Sequence, residues 1–519
     1  MRHNSNSSFD SAASASESGH HQWRGGPTLD LRARAESAAR DAGFETQFSA
    51  QAQSQAQDLG EIPPAAGDVA VSSAAIVDLR DLLWSSIDND ESRDLDQVEF
   101  CRRLENGRIS VRVGIADVAS TVAKNSPIDA HAALNTASIY AGAAIFPMLP
   151  EHLSTDLTSL LPDVDRLAFV VEMIVDGHGA IVDSTLYRAR LRNRAKLVYE
   201  SIGSWLEGSA ALPLEVSRVP GLEEQLRLQQ EVAERLLEAR KRGGALDVEM
   251  PEARPTVVDG RVTGIAVPRK NPARLIIENF MVSANMVMAQ FLQGRGIAAI
   301  GRVVREPQRW PRIVEVARQY GATLPAAPDG VALSRFLSAQ HASALQEGHP
   351  ERFGELSLSV VKLLGRGEYV VVRGPQDAAG HFGLGMHNYA HSTAPNRRFV
   401  DLTTQRIAFS ALSSAALPYS IEELETIAAH CSEREAAAQN VERLMRKIAA
   451  AVFLGESIGQ IFDAVVTGAS PKGVYVRTLG TPFEGRVMRG QNDLDVGDKL
   501  RVRLTHTDAE RGFIDFERI

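Results

Sequence analysis

The chain is predicted to fold as an α+β protein in which a large domain of alternating strands and helices is followed by a small β-barrel. Three observations predict this. Segments such as R-I-S-V-R-V-G-I-A-D-V (Arg108 to Val118) alternate and are rich in β-branched residues, as strands are. Amphipathic segments with helix stop signals, such as Leu222 to Arg242 before Gly243-Gly244, read as helices. The last stretch, Ile461 to Ile519, holds about five short strand-like runs with turns at G-A-S-P-K-G, L-G-T-P and V-G-D, the spacing of a small barrel.

Length and composition set the bounds. A chain of 519 residues has room for two or three domains and a large core. Its 44% hydrophobic and 23% charged residues group it with ordinary soluble proteins. The net charge of −9 argues against coating nucleic acid through bulk charge. It leaves room for a local basic channel, because threading a single strand needs positive charge only along the path. Cys101 and Cys431 form neither a disulfide framework nor a zinc-ligand pair, which fits a reducing compartment. No apolar run approaches a membrane span, and the amino terminus, M-R-H-N-S-N-S-S-F-D, lacks the core of a secretory signal. These features predict a cytoplasmic protein without a membrane partner.

Residues 1–70 are rich in Ser, Ala, Gln and Gly and read as a mostly disordered arm, within which Leu29 to Ala42 has the pattern of a short helix. Pro63-Pro64 closes the arm, and the globular part follows. Ile87 to Glu99, I-D-N-D-E-S-R-D-L-D-Q-V-E, then packs Asp88, Asp90, Glu91, Asp94, Asp96 and Glu99 around a single Arg93. Repelling carboxylates are commonly held together by a cation, and hard oxygen donors suit Mg²⁺, Mn²⁺ or Ca²⁺. Apolar flanks, Leu82-Leu83-Trp84 and then Val98 and Phe100, favour a loop that emerges from a core over a solvated acidic turn. A calcium loop counted from Asp88 fails, because Arg93 stands where Gly is required and a strand follows in place of a helix.

Pro127 to Tyr140 reads as a helix with Ser126 as N-cap and Pro127 at its first position. Leu167 to Val175 is a buried strand ending at the turn D-G-H-G. In the next strand, Arg188, Arg190, Arg192, Arg194 and Lys196 share one face. That face reads either as a track for a polyanion or as a solvated sheet edge. Ala273 to Leu292 is an apolar helix with one acid, Glu278, either a satisfied core residue or a site residue. Several helices follow between Pro307 and Leu364. In H-S-T-A-P-N-R-R-F-V-D-L, Arg397 and Arg398 fall near a helix start, suited to a phosphate, yet either can pair with Asp401. In the barrel, Phe462 reads as core; Tyr475 is a candidate stacking residue, with Lys472, Arg477 and Arg486 nearby.

Three blocks in order carry a resemblance. D-N-D-E-S-R-D-L-D-Q is similar to a metal-binding D-x5-D-x-D-D motif. F-P-M-L-P-E-H-L-S-T-D-L-T-S-L-L-P-D-V-D-R-L-A (Phe146 to Ala168) and H-F-G-L…Y-A-H-S-T-A-P-N-R-R-F-V-D-L match two further signatures. On these, the chain resembles the RNB family, the ribonuclease II and R-type exoribonucleases, over roughly residues 76–440. V-T-G-A-S-P-K-G-V-Y-V-R and E-G-R-V resemble an S1-type OB-fold over 455–519. The resemblance implies an RNB catalytic domain over 71–445, built as a mixed sheet with surrounding helices, and an S1 domain over 455–519. It implies hydrolysis of single-stranded RNA from the 3′ end to 5′-mononucleotides, with Mg²⁺, or Mn²⁺, at the aspartates.

Position by position, the resemblance assigns Asp88, Asp94 and Asp96 to catalysis and the metal, and Arg397 to the scissile phosphate. Tyr140 corresponds to an aromatic that stacks on the 3′-terminal base, Tyr199 to a tyrosine lining the same cavity, and Glu278 to an acid near the terminal nucleotide. Arg188, Arg190 and Arg192 join them as RNA-binding candidates. The chain departs from the pattern at Gln97, where a fourth aspartate is expected, at Gly114 in place of a histidine, and at Asn396 in place of an aliphatic residue. A glutamate that the family carries beyond the arginine pair has no evident counterpart, and the arm is too short for two cold-shock domains. Gln97 can still offer an oxygen to the metal, but a neutral one. The rival reading is therefore a catalytically impaired RNA-binding scaffold, and a deoxyribonuclease is a third. The sequence names no protein partner.

Overall fold

A computed structural model of the chain describes residues 29–59, 76–248, 254–258, 261–267, 269–348, 351–374, 377, 380–471 and 473–519. The first helices are α1 (Leu31–Asp41), where the sequence pattern places a short helix, and α2 (Ala50–Asp58), which corrects the expectation of a disordered arm over its stretch. Asp30 and Ser49 cap them by accepting from the Ala33 and Ala52 N–H groups. Their buried faces are built from Ala35, Ala38 and Ala39 and from Ala52 and Ala56. Alanine contributes little hydrophobicity to a composition but lets a helix lie close to its neighbour. The remainder of the predicted arm, 1–28 and 60–70, lies outside the described residues, as does Lys472.

A six-stranded mixed sheet follows, formed by β1 (Val77–Asp78), β2 (Trp84–Asp88), β3 (Gln97–Arg103), β4 (Ile109–Ala116), β7 (Asp165–Val175) and β8 (Ile181–Val198). Between β4 and β7 lie α3 (Pro127–Asn135) and a small hairpin of β5 (Ile139–Tyr140) and β6 (Ile145–Phe146). The sheet order is β1-β8-β2-β3-β4-β7, and the long β8 also pairs with β7, so the sheet curls back on itself. Trp84, Val98, Phe100 and Leu191 belong to the main core within and around it. A Cβ at Gly114 would sit 2.7 Å from Leu191 Cδ2 and 3.1 Å from Val98 Cγ2. The missing histidine at this position is therefore a matter of core packing.

Helices α4 (Tyr199–Leu206), α5 (Leu214–Ser217) and α6 (Leu222–Arg242) lead to the hairpin β9 (Arg254–Val258) and β10 (Arg261–Ala266) and to α7 (Pro272–Gly294). The expectation that no segment reaches membrane-span length is corrected by α7, which is long and apolar enough for one. Here it is a core helix, with Ile276, Phe280, Ala284, Val287 and Met288 buried. Strands β11 (Ala299–Val303) and β12 (Glu368–Val372) bracket α8 (Trp310–Gln319), α9 (Gly330–Gln346) and α10 (Glu351–Leu364), which share a second core. Next come α11 (Phe399–Ser413) and α12 (Ile421–Leu454), the latter closed at its start by a Ser420–Glu423 capping box. Strands β13 (Ile461–Ser470), β14 (Gly473–Thr478), β15 (Glu484–Arg489), β16 (Lys499–Asp508) and β17 (Phe513–Arg518) close the terminal barrel. The boundary drawn at 445 falls inside α12, whose Ala450, Ala451 and Leu454 join the barrel core.

The helix predicted over Pro127 to Tyr140 ends at Asn135. Thr136 adopts a left-handed backbone, φ 62°, and turns the chain out of α3. The following residues then pair with the start of α11: Ser138 N–H donates to the Arg397 carbonyl at 3.0 Å, and Phe399 N–H to that of Thr136 at 2.8 Å. This pairing carries Tyr140 to the arginines.

Candidate active site

The acidic loop leaves the sheet at the end of β2 and returns at β3. Ser159 pins it, donating to the Arg93 carbonyl at 2.6 Å and accepting from the Leu95 N–H at 3.0 Å. Leu95 is buried beneath, so the loop does emerge from a core. Asp88 Oδ1 accepts from the Asn89 N–H at 2.7 Å and from Ser92 Oγ at 2.9 Å. Asp94 Oδ2 accepts from the Tyr140 hydroxyl at 2.8 Å. Asp96, 1% exposed, accepts from the Asn396 N–H at 2.9 Å on one oxygen and from Arg397 Nε at 3.2 Å on the other.

These groups share one electrostatic neighbourhood. Burial pushes the Asp96 carboxyl up to about 7, the Arg397 charge opposes that rise, and Asp94 adds to it. Burial likewise raises Asp88, against its hydrogen bonds and Arg397. The question left open by spacing is answered by tertiary pairing: Arg398 takes Asp401 at 2.8 Å, and Arg397 turns to Asp96. Arg397 remains 43% exposed, and only its Nε is engaged by hydrogen bonding among the described residues. A guanidinium edge is thus left beside the carboxylates, the geometry that grips a phosphate.

Tyr140 also donates its backbone N–H to the Glu442 carboxylate of α12 at 3.0 Å. Glu442 sits in a long polar helix, where nothing in the local pattern distinguishes it from its neighbours. Tyr199 opens α4 with the Arg274 guanidinium 4.3 Å from its ring centre; burial raises its phenol, and Asp88 and Glu99 add to that. Glu278 pairs with Arg240 at 3.3 Å instead of joining the carboxylates. Tyr475 is 36% exposed on β14, with Lys447 Nζ 5.7 Å from its ring centre. Phe462 packs edge-on to Phe483 and Phe516 against the barrel core.

The basic face of β8 is largely occupied, which corrects its reading as an RNA track. Arg188 is buried and pairs with Asp117 at 2.6 Å, its guanidinium also 4.8 Å from the Phe409 ring centre. Arg192 pairs with Asp165 at 2.6 Å, Arg194 donates to the Arg80 carbonyl, and Lys196 to that of Asp90. Arg190 alone among the three candidate arginines stays exposed. The alternation is real, but β8 lies inside a curled sheet, where β7 and neighbouring loops bring acids and carbonyls to that face.

Among the described residues no three His, Cys, Asp or Glu side chains converge tightly enough to cage a metal unaided. Mg²⁺ does not require that; it commonly takes one or two carboxylates, keeps several waters and completes its shell with substrate phosphate. The donors at the loop are all hard oxygens, and Glu99, 0% exposed behind it, has both carboxylate oxygens without a hydrogen-bond partner. The donor set fits Mg²⁺ or Mn²⁺. Gln97 is buried at the start of β3.

This curled sheet, with its loop of carboxylates beside an arginine, defines the class: the chain belongs to the RNB domain family, which it matches over residues 76–414. Residues 460–519 match the RNase II-type exonuclease C-terminal S1 domain, so the closed barrel is an S1 module of that type. The chain is 29% identical to Ribonuclease R of Thermotoga maritima, over 85% of this chain and 64% of the relative. It superposes on Mycoplasma genitalium RNase R in complex with ribose methylated single-stranded RNA with a TM-score of 0.81 at 24% identity, covering 95% of this chain and 78% of that one. Yeast Ssd1, a pseudonuclease, shares the fold at a TM-score of 0.65 and 15% identity, covering 92% of this chain and 57% of that one. The chain spans 56% to 64% of the length of the curated relatives just named and of Ribonuclease R 1 from Lactococcus lactis.

Proposed function

We propose that the protein is a 3′-to-5′ exoribonuclease that hydrolyses single-stranded RNA to 5′-mononucleotides with Mg²⁺, or Mn²⁺, at the acidic loop. The observation that carries this reading is the placement of Arg397 against Asp96, with Asp94 and Asp88 in the same field and a guanidinium edge free. Asp88, Asp94, Asp96 and the Gln97 amide oxygen would hold the cation. When bound, it supplies Lewis-acid stabilisation of charge on the phosphate. Arg397 grips the scissile phosphate and stabilises the charge that builds there. Tyr140, fixed by Asp94 and Glu442, offers a ring for the 3′-terminal base, and Tyr199, within reach of the Asp88 and Arg397 charges, would line the same cavity. Arg190 and Tyr475 serve the incoming strand by charge and stacking, which tolerate any sequence.

Cys101 and Cys431 are both free and buried, in keeping with a reducing cytoplasm. The kinship with proteins named ribonuclease R supports the reading. Gln97 and the pseudonuclease neighbour favour the rival, an RNA-binding scaffold. A time course on 5′-labelled single-stranded RNA, with Mg²⁺, Mn²⁺ or chelator, decides between them. A metal-dependent ladder shortening from the 3′ end, absent in Asp96→Asn, is expected. Intact RNA under every metal, with binding retained, refutes the enzyme. Equal cleavage of a deoxy substrate would refute the choice of RNA, since the 2′-OH is the group that discriminates.

A further inference from the structure

The hairpin that carries Tyr140 is too small to hold its own shape, since β5 and β6 are two residues each. Side chains alternate along it. Ile139, 1% exposed, and the buried Ala141 turn inward, whereas Tyr140 between them is 39% exposed and reaches Asp94. The cover over the inward side comes from the start of the chain. Leu31, Ala35 and Phe44 share one core with Ile139 and Phe146, and α12 closes it with Val441. The next residue of α12, Glu442, is the one that accepts the Tyr140 N–H.

Polar contacts fix the same segment on either side of the hairpin. The Glu45 N–H donates to Asn135 Oδ1 at 3.0 Å, and Asn135 Nδ2 donates back to the Glu45 carbonyl at 2.8 Å. Asn135 is the last residue of α3, just before the left-handed Thr136 that sends the chain into β5. On α12, Arg434 donates to the Ala42 and Gly43 carbonyls, each at 2.9 Å, and its guanidinium lies 3.6 Å from the Phe44 ring centre. One segment thus grips the approach to β5, the hairpin itself and the helix that holds the Tyr140 backbone.

We propose that residues 31–45 are a positioning brace for the terminal nucleotide. They set the depth at which the Tyr140 ring meets the 3′-terminal base, and with it how far the strand advances past Arg397. This rests on the exonuclease reading, in which Tyr140 stacks on that base. Close-packed interiors have low compressibility, so a shift in the core beneath the hairpin is passed on to the ring above it.

The test is single-turnover cleavage by the full chain at saturating enzyme, on single-stranded RNA with an ordinary or an abasic 3′-terminal nucleotide. The pair separates a lost stack from a weakened fold, because only the former depends on the terminal base. Phe44→Ala is expected to slow cleavage of ordinary RNA about tenfold. It should match the wild type on abasic RNA and retain RNA on filters equally well in chelator, and Phe44→Leu should recover most of the rate. Arg434→Gln removes the fork from the turn carbonyls and gives the same readout should Phe44→Ala not fold. Wild-type cleavage of ordinary RNA by folded Phe44→Ala (or by Arg434→Gln in its place), or equal slowing on both RNAs, overturns this inference alone. A wild type that cleaves both RNAs equally fast overturns the stacking role of Tyr140 and this proposal with it. A wild type that cleaves neither overturns the exonuclease reading.

Discussion

Replacing Asp96 by Asn should abolish RNA cleavage and, in chelator, make the protein more stable at alkaline pH. In the fold the Asp96 carboxyl sits at about 7, against an ordinary value of 3.8, chiefly through burial. The unfolded chain therefore loses this proton more readily than the folded one, and folding is favoured below the ordinary value. That advantage is lost as pH rises, and above about 7 the whole penalty applies. The gap corresponds to about 4 kcal/mol. Asn removes the charge but turns an amide N–H₂ toward a donor, Arg397 Nε or the Asn396 N–H, at a cost of about 1–3 kcal/mol. A net gain of about 1–3 kcal/mol remains at high pH and vanishes at about pH 5. Chelator-treated wild type and Asp96→Asn are compared by thermal melting at about pH 5 and about pH 8.5. Added Mn²⁺ should then narrow the gap by stabilising the wild type alone. A wild type that is the more stable at high pH, or a difference that ignores pH, refutes the reasoning.

Arg397→Lys keeps the charge but not the fork, and single-turnover cleavage should fall about 100-fold to 1,000-fold while RNA binding by filter retention changes little. Arg188→Ala leaves Asp117 buried and unpaired, and denaturant titration should show a loss of about 3–5 kcal/mol, whereas exposed Arg190→Ala stays near neutral in stability. Thr158 donates to Asn396 Oδ1 at 2.6 Å in the core beside Asp96, so Thr158→Val should cost about 1–3 kcal/mol in the same assay.

The legible part of the fold was local. Alternation and caps fixed β4, α6, α7 and the barrel, because strand and helix periods are properties of adjacent residues. The acidic loop was legible for the same reason, since its carboxylates lie within one short segment. Ala-lined α2 escaped, because an alanine face leaves no strong hydrophobic period, whereas Leu29 to Ala42 carried enough pattern to mark α1. Partnership was decided only in three dimensions. Whether Arg397 or Arg398 held Asp401 depended on Asp96 arriving from a strand far back in the chain. The basic face of β8 was real as a pattern but was claimed by Asp117, Asp165 and loop carbonyls when the sheet curled. Glu442 reached Tyr140, and Glu99 lost every donor, by packing alone. A charge declares itself in sequence, but what neutralises it is set by the groups that the fold brings within a few ångströms.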